Sequence, residues 1–167
     1  VYWELAEEVD PSDAPFHKEE WFSSTLLEWG RCGKLAVAEG AGVAFAEYAP
    51  ATLFPRLREF AAARHVSPDA VYLSYCYVVE GRRGEGLGSE LVREVARDAV
   101  ERGYRAVEAI GDRAWDGSWV LPLPFLAANG FVVVRDDHRF PLLRLDLHER
   151  RTPLAAGARA MASVPAP

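Results

Sequence analysis

The chain lacks a run of apolar residues long enough to cross a bilayer, and it carries nothing with the shape of a signal peptide. It also lacks positive charge in excess. Lys plus Arg number 19 against 25 Asp plus Glu, a net charge of −6. That balance excludes a broad nucleic-acid or anionic-membrane surface, while leaving room for a local basic pocket. Cysteine is scarce, with only Cys32 and Cys76, so no disulfide framework is expected and both read as buried reduced thiols. The four histidines, 17, 65, 138 and 148, are scattered without ligand spacing, so no metal site is expected. The default expectation is a soluble cytoplasmic protein. The chain starts at Val1 rather than Met, and a short preceding stretch is expected.

What remains suits one domain: 167 residues, half of them apolar. Residues 1–149 read as that domain and 150–167, rich in Ala and Pro, as a mobile tail. Residues 1–6 read as a short strand and 10–15 as a turn. Residues 16–29 read as a helix burying Phe22, Leu26 and Trp29, with Trp21 beside them and Gly30 and Gly33 ending it. Two strands, 34–39 and 43–48, form a hairpin around Gly40-Ala41-Gly42. Residues 54–64 read as a short helix opened by Pro55.

Residues 70–79 form a strand apolar on both faces, which places it centrally. A clean amphipathic helix follows over 87–102, closed by Gly103. Strand 106–110, a helix after Pro122 and Pro124, and strands 131–134 and 142–147 complete the order. This is a mixed α+β pattern with hairpins and one parallel crossover, from strand 70–79 to strand 106–110.

Between the central strand and the long helix lies Glu80-Gly81-Arg82-Arg83-Gly84-Glu85-Gly86-Leu87-Gly88-Ser89. Its glycines let backbone N–H groups converge, the helix start adds partial positive charge, and the two arginines can grip phosphate oxygens. Ser89 adds a hydroxyl. The loop reads as a diphosphate cradle. It is not a Walker A loop, because Leu87-Gly88 rather than Lys and Ser or Thr follows Gly86. A dinucleotide fingerprint on Gly84 and Gly86 fails at Ser89, although Glu108 falls near the ribose-binding position, and the remaining residues supply too few βα units.

The spacing Arg-x-x-Gly-x-Gly at Arg83, Gly86 and Gly88 resembles the acyl-CoA motif of the GNAT superfamily of N-acyltransferases. The strand ending in Val78-Val79 and the segment from Phe125 to the Gly130-Phe131 pair are similar to that family's later motifs. The resemblance covers roughly 34–147. It implies a GNAT fold: a mixed, mostly antiparallel sheet of about six to seven strands flanked by helices, with a splayed parallel pair. It implies acetyl-CoA as co-substrate, with the diphosphate on Arg82, Arg83, Gly84, Glu85, Gly86, Leu87, Gly88 and Ser89. Pantetheine would lie along Val78 and Val79 near Phe125, and the thioester in the gap between the splayed strands.

The implied reaction is transfer of an acetyl group to a primary amine on a small molecule or peptide, by direct attack on the thioester. A homodimer is compatible with the family. Many members carry a proton-donating Tyr at the position of Leu126, and an Asn often found near the start of that helix falls near Trp119. A catalytically weak acyl-CoA-binding sensor or interaction module is therefore the alternative.

An ammonium must lose a proton before attack, and a carboxylate takes it. Glu108 in its apolar strand is the first choice. Tyr75, Cys76 and Tyr77 lie near the expected thioester; strand alternation implies that not all three face the cleft. An acyl-Cys76 intermediate is a further option that direct transfer does not require. Asp112, Trp115, Asp116 and Trp119 are candidates to shape an acceptor pocket suited to an aromatic or amphipathic amine. Glu47 and Tyr48 on the hairpin are further acceptor-side candidates.

Overall fold

The computed structural model describes residues 2–115 and 117–147. Helix α1 spans Ala14–Glu28, and Gly30 at φ 104° turns the chain out of it. Strands β1 (Gly33–Ala38) and β2 (Ala41–Ala49) form the expected hairpin. The turn falls at Glu39-Gly40, both with positive φ, rather than over three residues. Strand β3 (Ala70–Val78), helix α2 (Leu87–Glu101) and strand β4 (Ala106–Asp112) make the parallel crossover. Then come β5 (Leu121–Pro122), α3 (Leu123–Ala128), β6 (Val132–Arg135) and β7 (Leu142–Asp146). The sheet has seven strands in the order β1-β2-β3-β4-β7-β6, with β5 pairing β4.

Alternation along the central strands gives the sheet two cores. Val71, Leu73, Val107, Ala109 and Leu143 pack with Leu91, Val92, Val95 and Ala99 of α2. Tyr72, Ile110 and Leu142 face the other way, onto Trp3, Trp21, Phe54 and Phe60. The α2 stripe behaves as its periodicity predicts, except that Val100 stays exposed and Asp98 is buried. Asp98 is held by Tyr48 Oη at 2.8 Å and Arg102 at 2.7 Å. Gly103 at φ 83° ends the helix.

Several expectations change. Residues 2–6 form no strand; Trp3 is pinned instead by ring contacts to Phe60 and Tyr72. In α1 the buried residues are Trp21 and Thr25, while Phe22 and Leu26 are exposed. Residues 51–65 form 3₁₀ turns, not an α-helix. Phe54, Leu57, Phe60 and Ala63 stand three apart, and each amide reaches the carbonyl three residues back at 3.0–3.1 Å from Leu57 to Ala63. The tail expected at 150–167 lies outside the described residues.

Candidate active site

The phosphate-loop expectation rests on backbone geometry that the structure supplies. Gly84 and Gly86 have φ 82° and 84°, where a side chain is strained. Gly86 is the N-cap of α2 and gives no side-chain cap. The amides of Leu87, Gly88 and Ser89 thus begin a 15-residue helix without an intrahelical acceptor. A Cβ on Gly88 would stand 3.0 Å from the Phe125 ring and 3.9 Å from Cys76 Sγ. Only glycine lets α2 approach α3 and β3 this closely. Arg82 is paired with Glu85 at 2.8 Å. Arg83 donates from Nε to the Val78 carbonyl at 3.2 Å, and its guanidinium lies 5.9 Å from the Tyr77 ring centre.

Beside this loop the sheet opens. The β3–β4 ladder pairs Ala70 with Ala106, Val71 with Val107 and Tyr72 with Glu108, and goes no further, although both strands continue. β5 then pairs the far end of β4. A cleft of about 480 Å³ fills the gap, lined by Cys76, Val78, Arg83, Trp119 and Phe125 among others.

Tyr75, Cys76 and Tyr77 all line this cleft, contrary to the alternation argument. Their side chains still alternate, but the cleft runs along the edge of β3 that β4 leaves open and takes both faces. A bulge sets which face each residue takes. Glu47 pairs with Tyr75 but Tyr48 pairs with Leu73, so Ser74 is the extra residue of β3. Bulges re-aim the side chains that follow them. Leu73 packs toward α2, and after the bulge Cys76 and Val78 do so too, while Tyr75 stacks on Phe45 at 5.2 Å. Ser74 Oγ donates to the Glu47 carbonyl at 3.1 Å or its Oε1 at 2.9 Å.

The other candidates divide. Trp115 and Trp119 reach the cleft. Asp112, fully buried, holds their loop by accepting from Ser118 Oγ at 2.7 Å and the Ala114 amide at 2.9 Å. Asp116 lies outside the described residues. Glu108 is not brought to the cleft: it accepts from Arg144 at 2.8 Å and from the Ser67 amide at 3.0 Å, beside a separate depression with Asp69 and His65. Tyr48 is core, turned toward Asp98. Leu126 is fully buried among the α2-side core residues, so no proton donor stands there. Burial pushes the Cys76 thiol up to about 12, which leaves little thiolate.

A second cavity of about 490 Å³ adjoins the first, and Tyr75 and Trp119 line both. Tyr2, Trp3, Glu4, Lys18 and Phe45 are among its other walls. Lys18 bridges Glu4 and Glu47. Burial, then the Glu4 charge, push Glu47 up to about 7. Burial opposes ionisation of Glu4 as well, but Lys18 outweighs it and holds Glu4 below the usual range. The two carboxylates likewise hold Lys18 above its ordinary value against its burial. Sequence reasoning missed Glu4 and Lys18. They meet Glu47 across 43 and 29 positions of chain, and no local period marks such a meeting.

Among the described residues no helix is long and apolar enough to cross a membrane, and no group of His, Cys, Asp or Glu is placed to hold a metal ion. A family model described as Acetyltransferase (GNAT) family matches residues 2–116. No curated protein matches the sequence. Among solved structures, an N-acetyltransferase from Staphylococcus aureus Mu50 is 18% identical with a TM-score of 0.58, over 87% of this chain and 83% of that one. A ribosomal-protein-alanine N-acetyltransferase from Brucella melitensis is 21% identical at TM-score 0.55, over 88% and 85%. yncA of Salmonella typhimurium, solved with its cofactor acetyl-CoA, is 18% identical at TM-score 0.55, over 93% and 84%. At these identities the likeness is one of fold.

Proposed function

The chain belongs to the GNAT acetyltransferase family, and from that premise we propose that it transfers an acetyl group from acetyl-CoA to a primary amine. The observation that carries this reading is the parting of β3 and β4 beside an uncapped helix start. Free helix-start amides and an open strand edge stand side by side, an arrangement that suits a diphosphate and an extended arm.

In this reading the diphosphate sits on the amides of Leu87, Gly88 and Ser89 and on the arched backbone from Gly84 to Gly86, with Arg83 at its side. Arg82, already paired with Glu85, contributes less. The pantetheine arm runs along Val78 and Val79 on the edge that β4 leaves open. Phe125, packed on Gly88, closes the far wall. The acetyl thioester then lies by Cys76 and Tyr75.

Transfer is direct. The ammonium first gives a proton to water or a carboxylate, and the neutral nitrogen attacks the thioester carbon. The C–N bond forms and the C–S bond breaks. The leaving thiolate takes a proton, and the nitrogen releases one. We assign the donation to Tyr75, which burial keeps protonated and which lines the cleft. A CoA thiolate resembles free Cys, pKa roughly 8.5, so this help is modest. The depleted Cys76 thiolate argues against an acyl-Cys76 step. Glu108, engaged by Arg144, is not assigned the base role.

Buried Leu126 supports a second reading, an acyl-CoA-binding module with little turnover. Free thiol released from acetyl-CoA over a panel of primary amines separates the two. Amine-dependent release supports transfer; acetyl-CoA binding without release supports the module.

A further inference from the structure

Two residues in the wall of the second cavity each carry a buried polar atom that the fold leaves unsatisfied. Glu4 is 6% exposed, and its Oε1 is taken by Lys18, but its Oε2 has no hydrogen-bond partner. Trp3 is 2% exposed, and its Nε1–H has none either. Both residues line the cavity. Buried polar groups are almost always paired, and leaving one unpaired is destabilising. An ionised carboxylate oxygen here calls for a donor, and an indole N–H calls for an acceptor.

Four more rings, those of Tyr2, Phe45, Tyr75 and Trp119, line the wall together with aliphatic residues and Glu8, Lys18 and Arg56. Phe45 stacks on Tyr75 at 5.2 Å and 18°, and Tyr75 faces Trp119 at 6.3 Å and 31°. Tyr2 meets Trp3 edge-on at 5.0 Å. Such walls accept a flat apolar ring and favour a cation beside them. Glu4 and Glu47 share one lysine, so where Glu47 ionises, above about pH 7, the three carry one net negative charge, while Glu8 and Arg56 add one charge of each sign to the wall.

We propose that this cavity is the acceptor site and that it takes an arylalkyl primary amine bearing an oxygen on its ring. The ammonium sits on Glu4 Oε2, the ring lies among Tyr2, Phe45 and Trp119, and the ring oxygen accepts from Trp3 Nε1. The inference rests on the transfer reading above, and it supplies the substrate class which that reading leaves open. The shared wall of Tyr75 and Trp119 is what brings such an amine to the edge of the acetyl cleft.

Calorimetry with tyramine on the full chain, without CoA, tests it. Tyramine binds the wild type, and ethylamine binds at least tenfold more weakly. Glu4→Gln, which keeps the shape and removes the charge, weakens tyramine about ten- to a hundredfold, as expected for a hydrogen bond to a charged group. It leaves acetyl-CoA affinity unchanged. Trp119 is 62% exposed, so Trp119→Ala folds even if Glu4→Gln does not, and it weakens tyramine by about tenfold through lost stacking. Unchanged tyramine affinity in the folded variants, equal binding of ethylamine, or no tyramine binding at millimolar concentration overturns the proposal. A separate acetyl-CoA titration keeps the two readings apart. Tyramine binding without acetyl-CoA binding defeats the transfer reading and not the amine site; the reverse result defeats the amine site alone.

Discussion

The rings of Tyr75 and Trp119 stand 6.3 Å apart and form the wall common to two adjoining cavities. Tyr75 is there because Ser74 bulges out of β3. Trp119 is there because Asp112 ties down the loop before it. In our reading the acetyl donor lies on one side of this wall and the amine on the other.

Removing the Tyr75 hydroxyl should slow chemistry without touching CoA binding. Tyr75→Phe keeps the ring stack with Phe45. General acid catalysis contributes about a hundredfold at its low end, which suits a thiolate leaving group. Steady-state kinetics should show kcat down by up to that factor with KM for acetyl-CoA unchanged. An unaltered kcat would remove Tyr75 from the mechanism.

Glu108→Gln should cost stability and not activity. Its carboxylate is buried and bonds Arg144 and the Ser67 amide. Weakening that pairing should lower unfolding free energy by about 1–3 kcal/mol, seen as a lower urea midpoint. Turnover per folded molecule should hold. A large fall in kcat would return Glu108 to the role of base.

The pH dependence of stability should carry the mark of Glu47. An unfolded Glu titrates near 4.5, whereas folded Glu47 titrates at about 7. The folded state therefore retains a proton that the unfolded state has released between those values. This contribution is full below 4.5 and is lost as pH rises through 7. Glu4 is shifted downward, so its contribution is lost only as pH falls below the ordinary carboxylate range. Melting temperatures from pH 5 to pH 8 should therefore fall more steeply in the wild type than in Glu47→Gln. Parallel curves would contradict this.

Legibility of the sequence followed the range of the interactions involved. Helix α2, strand β3 and the loop between them are local patterns of period and glycine, and they stand where the sequence puts them, within a residue at each end. The β3–α2–β4 crossover follows from the same patterns. The bulge at Ser74 has no sequence mark, because it is set by pairing with β2. The open edge of β3, not a change in alternation, brings Tyr75, Cys76 and Tyr77 to one cleft. Glu108 looked available because it was a lone carboxylate in an apolar strand; its partner Arg144 arrives from β7, 36 positions later. Tyr48 reads as an acceptor-side candidate on the hairpin, but its hydroxyl donates to Asp98 on α2. The N-terminal segment resisted altogether, since Trp3 and Glu4 are fixed by side chains rather than by a ladder.

The central claim is acetyl-CoA binding in the cleft beside Gly86. The most direct test is isothermal titration of acetyl-CoA into the wild type and into Arg83→Ala, Gly86→Ala. The account predicts micromolar binding in the wild type. It predicts loss of most of that affinity in the double variant, about ten- to a hundredfold from the arginine alone, with strain at residue 86 adding to it. No heat of binding at high micromolar acetyl-CoA, or equal affinity in both proteins, would contradict it.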